Sequence, residues 1–311
     1  MSNDYSGLRS LGRWGRSKQL AKTSWGVLKQ DPELLWLTVL GLVFAIVGLL
    51  IGGLIALIGG MAAASGAEGW WEPNGVVLFV AGFVGILLAG ISNVFFHGAL
   101  VHGALDRLSG GDPTVKSAIA GARGRFRLLV GWAIISVIFA MIMQAIRDRG
   151  GFIAGLFTWL AEAAWAVISF LVLPVIIVER KGPFASLKRS MQLLKETWGE
   201  NLIGQVGIGL VGFVAALPGI LVGGLIIWVG ASASIVPLVW LGVVLLALWV
   251  LGVSLFFSAL KSVFQAVLYR YATGNEVAEG FETLGIEEAF ISKPKRGRRN
   301  RRDSTWGETW N

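Results

Sequence analysis

Six apolar runs limit what this chain can become: roughly 33–60, 75–105, 128–146, 152–178, 202–229 and 236–268. Each reaches or nearly reaches the ~20 residues that a helix needs to cross a bilayer, and the first, second and last are long enough to tilt or to project beyond the lipid. Inside hydrocarbon every backbone N–H and C=O must find a partner within the protein, and a helix meets that demand from its own segment. The expected fold class is therefore all-α: a polytopic membrane helical bundle of about six transmembrane helices. Only 15% of the residues are charged, against about a quarter in soluble domains. The 43 glycines fit helices that approach one another closely. The chain has no cysteine, which excludes disulfides, thiolate metal sites and a cysteine nucleophile. The first apolar run begins near Leu34, too far in for a signal peptide, so the N-terminus is expected to be retained.

The basic residues sort by loop. Segments before spans 1, 3 and 5, together with everything from Lys261 onward, hold 25 of the Lys and Arg residues; the intervening loops hold 2, Arg147 and Arg149. Positive charge gathers on the cytoplasmic side of a membrane protein. The expectation is a multi-pass protein of the cell membrane with both termini cytoplasmic. Its parts would be an N-terminal amphipathic segment (1–32), a six-span domain (33–271) and a basic, largely disordered tail (272–311).

The three basic segments that precede odd-numbered spans share a pattern. Before span 5, Phe184, Leu187, Met191, Leu194 and Trp198 recur at intervals of 3 and 4, an apolar stripe on one helix. Lys188, Arg189, Gln192, Lys195 and Glu196 cover the other side. Before span 3, Val115, Ile119, Ala122 and Phe126 follow after Pro113. Before span 1, Leu11, Trp14, Ala21, Trp25 and Leu28 do the same, with Lys18 interrupting. The expectation is three units, each an amphipathic interfacial helix followed by a membrane hairpin, related by a pseudo-threefold axis along the membrane normal. The alternative is that any basic loop before a span looks amphipathic. An interfacial helix can meet anionic headgroups through Lys188, Arg189 and Lys195, or it can pack across the mouth of the bundle.

The stretches LPVIIVERKGPFASLKRSMQLLKETWGENLIGQVGIG (173–209), SWGVLKQDPELLWLTVLG (24–41) and YRYATG (269–274) carry a resemblance. Over roughly residues 15–290 the chain resembles an uncharacterised family of six-span prokaryotic integral membrane proteins, known only as a domain of unknown function. The resemblance implies an integral membrane protein of the cell envelope. It implies no activity and no site residue.

Polar residues within the spans are the candidate site. Glu162 lies about 15 Å along span 4 at 1.5 Å per residue, on a face shared with Thr158 and Ala166. A carboxyl at that depth is either a proton or cation site or a protonated, hydrogen-bonded packing residue. Span 2 carries Ala81, Gly85, Ala89, Asn93 and His97 at four-residue spacing; its small members suit close packing. His102 follows five residues after His97, not the four that a metal pair on one helix prefers, so interhelical hydrogen bonding is the favoured role. Gly48, Gly52, Ala56 and Gly60 mark a packing face on span 1. Ser254, Ser258 and Ser262 line one side of span 6, either along a water-filled path or bonded to neighbours. Gln144, Gln205 and Gln265 add further inward polarity. Pro174 and Pro218 are expected to kink spans 4 and 5.

No phosphate loop, dinucleotide fingerprint, zinc-protease motif or nucleophile elbow is present in the sequence. No enzyme activity, metal or cofactor is expected, and no nucleic-acid partner. Seven of the ten residues from Lys293 to Arg302 are basic; Lys293, Lys295, Arg296, Arg298 and Arg299 are candidate headgroup contacts, the alternative being a solvated tail that fixes topology. The favoured function is a non-enzymatic envelope protein that organises lipids, anionic ones on the cytoplasmic side, or partner proteins, with a membrane-protein partner or a second copy allowed. The alternative is a channel or secondary transporter with a polar path near Glu162.

Overall fold

A computed structural model describes residues 32–64, 75–198 and 207–274. Among them are nine α-helices and no strand. A short 3-10 turn, Pro32–Leu34, leads into α1 (Leu35–Ala64). Then follow α2 (Gly75–Leu108), α3 (Val115–Arg123), α4 (Phe126–Arg149), α5 (Gly151–Ile168), α6 (Val172–Glu179), α7 (Pro183–Trp198), α8 (Gly207–Ser232) and α9 (Val236–Gly274). Six stretches are long and apolar enough to cross a membrane, with α5 and α6 together forming the fourth. The chain is a multi-pass membrane protein with an all-α fold.

The spans pair as antiparallel hairpins: α1 with α2, α4 with α5, and α8 with α9. The α1–α2 seam is built from the two small-residue stripes. A Cβ added to Gly48 would stand 2.8 Å from Leu88 Cβ, and one on Gly52 would stand 2.7 Å from both the Ala81 carbonyl oxygen and Gly85 Cα. Such backbone approach is what glycine makes possible between membrane helices. The α8–α9 seam repeats the device, with Gly230 against the Val239 nitrogen and Gly242 against the Ile227 nitrogen.

The hairpins share their core at one end. Leu37, Leu100, Ala118, Leu129, Val172, Ile176, Ala259 and Val263 are buried together there, drawn from α1, α2, α3, α4, α6 and α9. Beside them Leu171, Val175, Leu193, Leu194, Leu268 and Tyr269 join α6 and α7 to α9. This is the basic end, where Arg123 and Arg127 lie at helix ends and Arg125, Arg180 and Lys181 lie in the connections between helices. Towards the opposite end burial falls away, and Leu54, Leu57, Phe79, Phe152, Leu225 and Leu248 are exposed on three separate hairpins. Exposed apolar surface on that scale has no place in water; in a bilayer it is the ordinary lipid-facing coat.

Span boundaries differ from the sequence expectation in informative ways. The third span runs 126–149 rather than 128–146. The sixth reaches Gly274, and 39 residues at 1.5 Å per residue make it about 58 Å long, well beyond the ~30 Å hydrocarbon core. The fourth, expected as one helix over 152–178, is broken at Ser169–Leu171. Pro174 is the cause. It has no N–H for the Phe170 carbonyl, and it fits instead in the first turn of a new helix, α6. Pro218, by contrast, sits inside an unbroken α8.

Residues 11–29, expected as the first interfacial helix, lie outside the described residues, as does the tail with Lys293, Lys295, Arg296, Arg298 and Arg299. The other two expected helices are present as α3 and α7. Thr114 caps α3: its hydroxyl accepts from the Ser117 N–H at 3.1 Å, and the Ser117 hydroxyl accepts from the Thr114 N–H at 2.9 Å. The helix stops at Arg123, so Phe126 belongs to α4 and not to the α3 stripe.

Candidate functional site

The break in span 4 exposes backbone groups that a continuous helix would satisfy. Side chains from two other helices take them up. Ser190 on α7 donates to the Ile168 carbonyl at 2.6 Å and accepts from the Leu171 N–H at 3.2 Å. Gln265 on α9 donates to the Phe170 carbonyl at 2.7 Å, the oxygen that Pro174 leaves free. All three helices are thereby tied at one point. Ser190 and Gln265 are both buried, so neither bond is exchanged with water.

A second tie lies at the end of α6. Glu179 accepts from Tyr269 at 3.1 Å and from Arg189 Nε at 3.3 Å, and it pairs with Lys181 at 2.5 Å. One carboxylate thus links α6, α7 and α9. Arg189, expected at the lipid surface, is turned inward to this group, while Lys188 and Lys195 are exposed.

These ties decide which face of α7 meets the protein. Ser186, Ser190, Leu193 and Leu194 are buried. From the expected apolar stripe, Phe184 is 73% exposed and Met191 46% exposed. The protein-facing side of α7 is a serine–leucine side that takes in Leu194 from the stripe, while Phe184 and Met191 are left uncovered beside it.

The expected intramembrane site divides into parts. His97 and Ser258 do meet: Ser258 Oγ is 2.8 Å from Nε2, and Ser262 Oγ is 3.2 Å from Nδ1. Ser262 also donates to the Ser258 carbonyl at 3.2 Å. Its one proton is then spent, so Nδ1–H donates to Ser262 Oγ and Ser258 donates to Nε2. This assignment rests on the hydrogen-bond network. Both ring nitrogens are occupied, which makes His97 a bridge between α2 and α9. Asn93 and Ser254 are exposed.

Glu162 stands apart from this group. Its carboxylate bonds to the Arg147 guanidinium across the α4–α5 hairpin, with both side chains nearly half exposed. The face expected to look inward is uneven: Thr158 is buried and Ala166 exposed.

The elbow between α3 and α4 completes the basic end. Arg125 donates from Nε to the Ile177 carbonyl at 3.0 Å and from a terminal nitrogen to the Gly121 carbonyl at 2.8 Å. Arg123 and Arg127 flank it and are exposed.

Chemically the site is a set of clamps with a charged surface. Among the described residues no group of three or more His, Asp or Glu side chains converges as a metal would require. Sequence reasoning passed over the roles of Ser190, Glu179, Tyr269 and Arg125. Ser186 and Ser190, four apart on a basic helix, were the readable sign of a packed face. Residues 75–280 match a family model described as "Family of unknown function (DUF6159)". No curated protein matches the chain.

Proposed function

We propose, from the premise that the chain belongs to this family of unknown function, that it is a non-enzymatic scaffold of the cell envelope that gathers anionic lipid at its basic end. The observation that carries the reading is the division of α7 into two faces. One face is consumed in holding the broken span; the other leaves Phe184 and Met191 uncovered beside exposed Lys188 and Lys195. Such a helix suits the headgroup boundary: apolar side chains enter the acyl region, and each lysine near an anionic surface adds about 1 kcal/mol. The loop charge supports a cytoplasmic position for this end.

The reading is tested on the full-length protein purified from native membranes. Lipids that co-purify are expected to be enriched in anionic species over the surrounding membrane, and K188Q/K195Q is expected to reduce the enrichment. A co-purified lipid mixture identical to the bulk membrane would sink it.

A channel or carrier draws on Asn93 and Ser254, which are exposed one turn before the His97 bridge on α2 and α9. Against it, His97 and Ser258 spend their hydrogen bonds on each other, and Glu162 is paired with Arg147. Reaction of a cysteine at 254 with water-borne thiol reagents would favour that path; no labelling removes it.

A further inference from the structure

Two cavities meet at the α3–α4 elbow. The first, about 730 Å³, opens at the basic end between Arg123, Arg125, Arg127, Phe95 and Phe126. The second, about 380 Å³, is lined by Leu40, Phe44, Ile91, Phe95, Phe96 and Phe126 and is almost wholly apolar. Phe95 and Phe126 line both, so the two spaces adjoin, three arginines at one and an aromatic and aliphatic groove at the other. The two rings stand edge to face with centroids 5.8 Å apart, and Phe44 continues the wall through Phe96, 5.4 Å away.

Depth follows from the helices. Phe44 is nine residues into α1 from the basic end, so at 1.5 Å per residue the groove descends about 13 Å. An occupant must be anionic at the mouth and hydrocarbon below it.

The charges at the mouth are unevenly used. Arg125 is committed to the Ile177 and Gly121 carbonyls. Arg123 and Arg127 form no recorded ion pair or hydrogen bond among the described residues. Partial burial, and then the nearby Arg180, push the Arg125 guanidinium down from its ordinary value. A phosphate set between Arg123 and Arg127 would meet both through charge-assisted hydrogen bonds.

We propose that the α3–α4 elbow is a binding site for one anionic phospholipid, its headgroup phosphate held by Arg123 and Arg127 and an acyl chain laid along Phe95, Phe44 and Leu40. The site deepens the lipid-gathering reading above and rests on it, but it is separate from α7, so the two are separable by mutation. Surface lysines attract many lipids weakly; a mouth joined to a groove selects one and retains it.

The test uses full-length protein in nanodiscs of phosphatidylcholine doped with phosphatidylglycerol, released into detergent and weighed by native mass spectrometry. Wild type is expected to retain phosphatidylglycerol. R123Q/R127Q is expected to retain it about tenfold less, the loss that follows from one or two charge-assisted contacts. Both arginines are exposed and bond to no described residue, so folding is expected to survive, and an unchanged melting temperature checks this. K188Q/K195Q is expected to keep the retained lipid while losing bulk enrichment. F44A, in the groove, is expected to lower retention without touching charge. Undiminished retention in R123Q/R127Q overturns the site while leaving the α7 reading standing. Displacement by inorganic phosphate alone overturns the lipid identity, and a retained second copy of the chain in place of lipid overturns the occupant. Absence of retained or enriched anionic lipid in every variant overturns both readings.

Discussion

S190A and Q265L should each destabilise the protein by about 1–3 kcal/mol, the cost of leaving a buried polar group unpaired. Ser190 is the heavier loss, because it satisfies two backbone groups at the break, the Ile168 carbonyl and the Leu171 N–H. Gln265 satisfies the Phe170 carbonyl that Pro174 abandons. The two side chains serve the same three-residue break from opposite helices, so the double variant should depart from additivity, as contacting sites do. Thermal unfolding in detergent measures the first effect. Hydrogen exchange at residues 168–172 measures the second, since protection there depends on both side chains. Q192A, on the exposed side of the same helix, is the control and should change neither. Equal melting temperatures for S190A and Q192A would mean that the break is not held by α7.

Gly52→Leu should be the most damaging substitution in the α1–α2 seam, while Gly53→Leu, the next residue, should be nearly silent. A Cβ on Gly52 runs into the Ala81 carbonyl oxygen and Gly85 Cα, backbone atoms that no rotamer change can move. A Cβ on Gly53 meets nothing within 4 Å. Overpacking costs typically about 1–3 kcal/mol, and more when backbone must shift. The comparison isolates helix approach from helix propensity, since both changes replace glycine in the same helix. Like losses at both positions would show that the cost is not steric.

Much of this architecture was legible because the bilayer allows few solutions. Six apolar runs had to be helices, and the glycine stripe at 48 and 52 had to meet something small. It meets Ala81 and Gly85, the first members of the span 2 stripe. The last members meet a different helix for a geometric reason. Four residues turn a helix through about 400°, so a four-spaced stripe drifts by about 40° at each step. By His97 it has left α1 and reached Ser258 on α9. The same residues therefore belong to two interfaces, which spacing alone presented as one.

Other features depended on contacts that local pattern does not encode. The 3–4 periodicity of Phe184, Leu187, Met191 and Leu194 correctly placed a helix; the role of Ser190 went unnoticed because its partners lie about twenty residues earlier in the chain. Arg147 looked like an exception to the charge rule and is the partner of Glu162. Lys261 was counted with the tail although it lies well inside α9. Arg189 was assigned to lipid because its neighbours are, while a carboxylate ten residues earlier claims it.

The central claim is that α7 lies at the membrane interface with its uncovered Phe184 and Met191 in lipid. The chain has no cysteine, so single cysteines at 184, 188, 191 and 195 can each carry a nitroxide in the full-length protein, reconstituted in vesicles that contain anionic lipid. Collision with oxygen, which concentrates in the bilayer, is compared with collision with a water-soluble nickel complex. Labels at 184 and 191 should favour oxygen, and labels at 188 and 195 should favour nickel. Nickel access at all four positions would place the helix in water and contradict the account.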